Sequence, residues 1–360
     1  MPPENLDVAR LDLAGAIEEA LTAFLDEQAE RLAPLGPDAA AVVDAARITV
    51  AGGKRLRGRF CFAGFLSVRP DPTPAEVHAV VRAGAALEVL HASALVHDDL
   101  MDASDTRRGR PSTHRAFEAR HREAGWTGEE EQYGAAAAIL LGDLLLSWAD
   151  ELLRRCGLPL AAVAPALDVL DLCRSEVIAG QFLDVSVQAR GRASVDEAMR
   201  VLRYKSAKYS VERPLHIGAA LAGADAAHLQ ALSDVGLPLG EAFQLRDDQL
   251  GVFGETATTG KPAGDDLVEG KRTVLVALAL DALDGDDATL LDRSLGTALG
   301  PDEVARLRDL VRGSGAEAAV EDLIAALTER SLAALDAAGF PAVAVEALSA
   351  LTAAATRRTS

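Results

Sequence analysis

Across 360 residues, apolar side chains recur at steps of three and four and almost nowhere alternate strictly. Leu11, Leu13, Ile17, Ala20, Leu21, Phe24 and Leu25 set the pattern, and this spacing lays a continuous apolar stripe along one face of a helix. A half-buried strand needs a two-residue alternation instead, and that is scarce, so the chain is predicted to be all-α. Helical stretches are expected over roughly 8 to 33, 38 to 51, 55 to 67, 74 to 104, 132 to 155, 159 to 190, 195 to 222, 226 to 253, 271 to 283, 286 to 298, 302 to 313 and 316 to 357. Between them stand helix-stopping residues such as Pro34, Gly36 and Pro37, Pro70 to Pro74, Gly125 to Gly128, Gly223 and Gly300 with Pro301.

No boundary combines a linker composition with a change of pattern. One domain over 1–360 is expected, with its motifs within about 50–275 and a helical C-terminal part over 276–360. Hydrophobic residues make up 49% of the chain, which supplies ample material for a core. The formal net charge of -19 argues against a nucleic-acid partner, because binding a polyanion needs a basic surface that releases counterions. Glu4, Asp7, Asp12, Glu18 and Glu19 do not match a basic-then-apolar signal peptide. No apolar run reads as long and charge-free enough for a transmembrane segment, so a cytoplasmic location is expected. Cys61, Cys156 and Cys173 lack metal-ligand spacing and are expected to be buried thiols.

Chemistry concentrates at two acidic clusters. In His97-Asp98-Asp99-Leu100-Met101-Asp102, Asp98 and Asp102 lie one helical turn apart and share a face. Two carboxylates held together after the apolar stretch Ala92 to Val96 repel each other unless a hard cation such as magnesium lies between them; an exposed acidic helix end is the plain alternative. Arg107-Arg108-Gly109-Arg110 follows, placing guanidinium groups next to the acids, as a phosphate-rich ligand requires. Far along the chain, Phe243-Gln244-Leu245-Arg246-Asp247-Asp248 repeats the theme at the end of another apolar helix. A Gly-rich, lysine-bearing stretch then runs from Thr259 to Thr273, and Gly52-Gly53-Lys54-Arg55-Leu56-Arg57 adds a third basic group near the N-terminus. On an acidic chain, such concentrated cations point to anionic substrates.

Taken in order, Gly52 to Arg57, Asp98 to Asp102 with Arg107-Arg108, Lys205-Ser206, Phe243-Gln244 with Asp247-Asp248, and Lys261 with Lys271 resemble the motifs of trans-prenyl diphosphate synthases, the bacterial geranylgeranyl diphosphate synthases among them. The resemblance implies a helical bundle around a central cavity, a homodimer, and head-to-tail transfer between isopentenyl diphosphate and an allylic dimethylallyl, geranyl or farnesyl diphosphate. It implies Mg2+, about three ions, held mainly by Asp98, Asp102 and Asp247, with Asp99 and Asp248 in support. Arg107, Lys205, Ser206, Gln244, Lys261 and Lys271 would hold the allylic diphosphate, and Lys54, Arg57, His91 and Arg108 the diphosphate of isopentenyl diphosphate. By itself, His91 on an apolar helix reads as an ordinary core histidine. The sequence departs from the family at Gly251, where the second acidic motif usually ends in a third aspartate.

The same reading gives an expectation for product length. A tail growing away from Asp98 first meets Ser93 and Ala94, both small, then Leu90 and Leu87 at three-residue steps of about 4.5 Å along the helix axis. With no aromatic plug there, geranylgeranyl diphosphate is the expected product, ahead of longer chains and of farnesyl diphosphate. Two rivals are weaker. A class I terpene cyclase has no use for a second diphosphate site at Lys54 and Arg57, and an inactive partner subunit is expected to have lost one acidic pair, whereas both persist.

Overall fold

Thr73 shows how local chemistry starts the longest helix of the N-terminal half. Its hydroxyl accepts a hydrogen bond from the Glu76 amide (3.3 Å), while Glu76 Oε2 accepts one from the Thr73 amide (2.8 Å). This capping box, followed by Pro74 with φ preset for the first turn, contributes about 1 kcal/mol. The helix then runs from Pro74 to Met101, and a segment so apolar on all sides belongs in a core.

The computed structural model describes residues 11–254 and 264–356. It is 81% helical, and among the described residues the only strands form a two-residue hairpin, which bears out the all-α prediction. In order the elements are α1 (Leu13–Leu32), α2 (Pro37–Val50), α3 (Leu56–Val68), α4 (Pro74–Met101), β1 (Thr106–Arg107), β2 (Arg110–Pro111), α5 (Thr113–Ala124), α6 (Glu130–Arg154), α7 (Leu160–Arg190) and α8 (Val195–Leu202). A π-helix (Arg203–Glu212) runs into α9 (Arg213–Leu221); then come α10 (Ala226–Phe253), α11 (Asp265–Val268), α12 (Val274–Ala282), α13 (Gly285–Ser294), α14 (Pro301–Gly313), α15 (Ala316–Ala337) and α16 (Ala342–Thr356). The antiparallel hairpin sets Thr106 opposite Pro111 and Arg107 opposite Arg110.

Two compact units account for the chain. The first comprises residues 1–170 and 214–224, the second 171–213 and 225–360. In the first, α4 packs chiefly on α6, with α1 and α3 also against it. Leu87, Leu141 and Leu145 are almost fully buried there, each worth about 2 kcal/mol of transfer energy, and Phe24 meets Trp148 edge-on with ring centroids 6.0 Å apart. In the second unit α10 packs on α15 and on the π-helix, and Ser331 of α15 donates to the Val235 carbonyl of α10 (2.8 Å).

Three readings of the sequence need correction. Helix α4 does meet the length and composition of a membrane span, but 78% of its most apolar window is buried inside the protein, as a core helix requires. Helix α5 falls where no helix was expected. Its buried face carries His114, Phe117, Glu118 and His121, so no apolar stripe announces it. The expected run from 316 to 357 is broken after Ala337, where Gly339 adopts φ 65° and Pro341 precedes α16. The three cysteines are buried and unbridged, as expected.

Candidate active site

Asp98, Asp99 and Asp102 close the C-terminal end of α4, the Asp102 amide donating to the Asp98 carbonyl (2.8 Å). Asp98 and Asp102 are partly exposed, whereas Asp99 is 3% exposed. Arg107 Nε donates to Asp99 Oδ1 (2.9 Å) and Nη2 reaches the same oxygen, so the buried Asp99 and the half-buried Arg107 form a pair. Asp99 thus anchors an arginine of the hairpin, while Asp98 and Asp102 keep the helical spacing of a shared face. The hairpin needs its tight geometry here: Arg108 has φ 52° and Gly109 φ 73°.

The basic group near the N-terminus is built around left-handed backbone at Gly52 and Gly53, which carries the chain from α2 to α3. Arg55, 4% exposed, pairs with Glu18 of α1 and lies 3.7 Å from Glu88 of α4, and Glu88 also accepts from the Gly58 amide (3.2 Å). These bonds fix the start of α3, and with it Arg57 and the exposed Lys54. Arg108 comes to the same place, its Nη1 donating to the Ala51 carbonyl (2.7 Å). Burial first, then the charges of Arg57, Arg108, Arg107 and Arg55, hold the His91 imidazole well below its usual pKa. It is therefore neutral at physiological pH, with one N–H to offer in a strongly cationic neighbourhood. Lys54, Arg57, His91 and Arg108 belong to one region of the first unit.

In the second unit, Asp247 and Asp248 lie in the last turns of α10. Gln244 Nε2 donates to Asp248 Oδ1 (2.7 Å), tying down one of the acids with a residue expected to face phosphate. The Asp248 carboxyl is pushed up to about 8 by burial and then by the negative charges of Asp266 and Asp247. Lys271 Nζ lies 2.5 Å from Glu269 and 3.4 Å from Asp266. Lys205 Nζ donates to Asp184 of α7 (2.6 Å). Ser206 follows it on the π-helix and is partly buried, and Lys261 lies outside the described residues. Against this π-helix the neighbours come backbone to backbone: a Cβ at Gly180 would fall 2.5 Å from the Tyr204 carbonyl carbon, and one at Gly240 2.5 Å from the Ala207 oxygen.

The sequence reading passed over Asp184, and also over Glu176, which accepts from Lys208 (2.8 Å) and from Arg213 Nε and Nη2 (2.7 and 2.9 Å). Both acids sit on α7 at helical spacing among apolar residues, and that was the available sign. Near the first cluster, Ser93 is buried and its hydroxyl donates to the Gly142 carbonyl of α6 (2.7 Å), Ala94 is partly exposed, and Leu90 and Leu87 are 2% and 1% exposed.

Among the described residues no three His, Cys, Asp or Glu side chains form a closed cation cage. The acids still fit magnesium, which takes one or two carboxylates and completes its shell with water and phosphate oxygens. Burial first, and then the charges of Asp266 and Asp247, favour the neutral form of Asp248 despite Gln244 and Lys271, and a divalent ion bound there would favour the ionised form instead.

Known proteins resemble this chain over most of its length. The polyprenyl synthetase family profile matches residues 40–312. A crystal structure of geranylgeranyl pyrophosphate synthase from Corynebacterium glutamicum, complexed with isoprenyl diphosphate and magnesium, superposes with a TM-score of 0.93 at 42% identity, covering 96% of this chain and 98% of that one. A geranylgeranyl diphosphate synthase of Sulfolobus acidocaldarius is 33% identical over 264 residues, 72% of this chain and 73% of its own. A (2E,6E)-farnesyl diphosphate synthase of Mycobacterium bovis is 32% identical over 268 residues, 73% of this chain and 68% of its own.

Proposed function

Because the chain belongs to the polyprenyl synthetase family, we propose that it condenses isopentenyl diphosphate with an allylic diphosphate by 1'-4 transfer, making geranylgeranyl diphosphate and releasing pyrophosphate. The observation that carries this reading is His91 set among the charges of Arg57, Arg108 and Arg55, a cationic group in addition to the arginine, Arg107, that pairs with the first acidic motif. An enzyme that joins two diphosphates needs one such metal-independent site, and a cyclase does not.

In this reading Lys54, Arg57, His91 and Arg108 bind and orient the diphosphate of isopentenyl diphosphate, so that its double bond faces the allylic carbon. Arg107, Lys205, Gln244 and Lys271, together with Ser206 and Lys261, hold the allylic diphosphate. Asp98, Asp102 and Asp247, supported by Asp99 and Asp248, would hold the magnesium ions, which when bound neutralise the allylic diphosphate and make it a competent leaving group. The allylic C–O bond breaks, the isopentenyl double bond attacks the resulting cation, and a proton passes to the departing pyrophosphate. The protein's part is placement and charge stabilisation. With water-soluble diphosphates as substrates, the enzyme is assigned to the cytoplasm.

Incubation of the protein with Mg2+, isopentenyl diphosphate and each of dimethylallyl, geranyl and farnesyl diphosphate, followed by chromatography, tests the proposal. A twenty-carbon linear product is expected. Cyclic hydrocarbon would identify a cyclase, and absence of any product with every primer would identify an inactive subunit.

A further inference from the structure

Arg55 stands between Lys54 and Arg57 in the basic motif, yet its charge is committed inside the protein. Its guanidinium is 4% exposed, pairs with Glu18 of α1 and lies 3.7 Å from Glu88 Oε2. Its backbone is left-handed at φ 51°, a conformation that a residue with a side chain keeps only where its surroundings enforce it. Glu88, on α4, is 6% exposed, and a buried carboxylate needs partners. Besides Arg55 it has the Gly58 amide in the first turn of α3, which donates to Oε1 (3.2 Å). One turn earlier on the same face of α4, the two helices meet backbone to backbone: a Cβ on Gly84 would fall 3.0 Å from Gly58 Cα. Three residues after Glu88 that face carries His91. Glu88 also acts on the site through its charge. Burial, then Arg55 and Arg107, lower the pKa of Arg108, and Glu88 opposes them.

We infer that Glu88 is a positioning residue of the isopentenyl diphosphate site: by holding Arg55 and the first turn of α3 together it fixes Lys54 and Arg57 beside His91, while touching no substrate itself. This role rests on the assignment of Lys54, Arg57, His91 and Arg108 to that diphosphate. It divides the basic motif, with Lys54 and Arg57 serving the ligand and Arg55 serving the fold. It also fixes a sign that charge alone would reverse. An acid that merely sits near a cationic site repels an anion, so neutralising it tightens binding. An acid that positions the cations misplaces them when it is neutralised, so binding weakens.

Titration calorimetry of the full-length protein with isopentenyl diphosphate in the presence of chelator tests this without turnover, because without divalent ions the binding reads the cationic group. Glu88→Gln should raise the dissociation constant about 10- to 100-fold, the scale of loss that a misplacement of about 1 Å produces. Arg55→Met should weaken binding comparably, and the double variant should bind no worse than either single one, as two residues acting through one contact require. The double variant also guards against a folding defect. It removes the buried cation that Glu88→Gln leaves short of a partner, so its unfolding midpoint should exceed that of Glu88→Gln while its dissociation constant stays raised. Unchanged or tighter binding by Glu88→Gln, or fully additive losses in the double variant, would overturn the inference. Arg57→Met separates the two layers. If it weakens binding while Glu88→Gln does not, only the role of Glu88 fails; if it binds as the parent does, the assignment of the site itself fails.

Discussion

Asp248 shows what the site demands of a single residue. An acid whose pKa is raised to about 8 in the folded chain keeps a proton that the unfolded chain has released above about pH 4. Between those values the folded state binds more protons, so the metal-free protein should lose stability as pH rises from about 4 to about 8, and the loss should level off above that. Unfolding midpoints in chelator should show this decline, and Asp248→Asn should flatten it. Equal slopes for the two proteins would remove Asp248 as the cause. Chain order shows that two aspartates are adjacent, but not that Asp266 comes up beside them, because the approach depends on how α11 turns back onto α10. The same holds for Asp99. Its place in the motif suggested support for a cation, whereas folding spends it on Arg107.

At the scale of elements, two acids of α7 hold the π-helix from Arg203 to Glu212, Asp184 through Lys205 and Glu176 through Lys208. Glu176 accepts from both Lys208 and Arg213, and all three side chains are largely buried. Glu176→Gln takes the nearest carboxylate from two largely buried cations, Lys208 and Arg213, leaving them Glu212 at 3.6 and 3.7 Å, and should lower the unfolding midpoint by several degrees. Because Lys205 and Ser206 sit on the same element, KM for the allylic diphosphate should rise while KM for isopentenyl diphosphate stays close to the parent value. A second prediction concerns α4. Ser93 is buried with its hydroxyl on the Gly142 carbonyl, so Ser93→Phe forces a large ring between α4 and α6. It should shorten the product to fifteen carbons or fewer by chromatography, and overpacking of about 1–3 kcal/mol should accompany it. Unchanged chain length would refute the placement of Ser93 on the tail's path. The pattern of apolar residues foretold α4, α6, α7 and α10 well, because each buries a broad face. It missed α5, whose packing face sets the single apolar Phe117 among histidine and glutamate, and it ran α15 and α16 together despite Gly339 and Pro341.

For the molecule as a whole, the chain carries large exposed apolar side chains on both of its units. Leu140 of α6, in the first, is 65% exposed, and Phe182 of α7, in the second, is 70% exposed. A homodimer, which the resemblance to the family implies, would cover side chains of this kind. A homodimer is the expected state, and sedimentation equilibrium should return twice the 37.6 kDa of one chain. Leu140→Glu should shift it toward the monomer, and a purely monomeric parent protein would exclude the dimer.

Helical class, the order of the acidic and basic motifs and the membership of a prenyl-transferring family were all legible in the sequence, because each depends on spacing within one segment. Side chains four residues apart share a face wherever the helix ends up. Tertiary structure decided which charges meet. It paired Arg107 with Asp99, set Lys205 on Asp184, gathered arginines around a neutral His91, and brought Asp266 against Gly251. Those meetings join residues far apart in the chain or across a turn, and their energies depend on burial and distance, which no local pattern encodes.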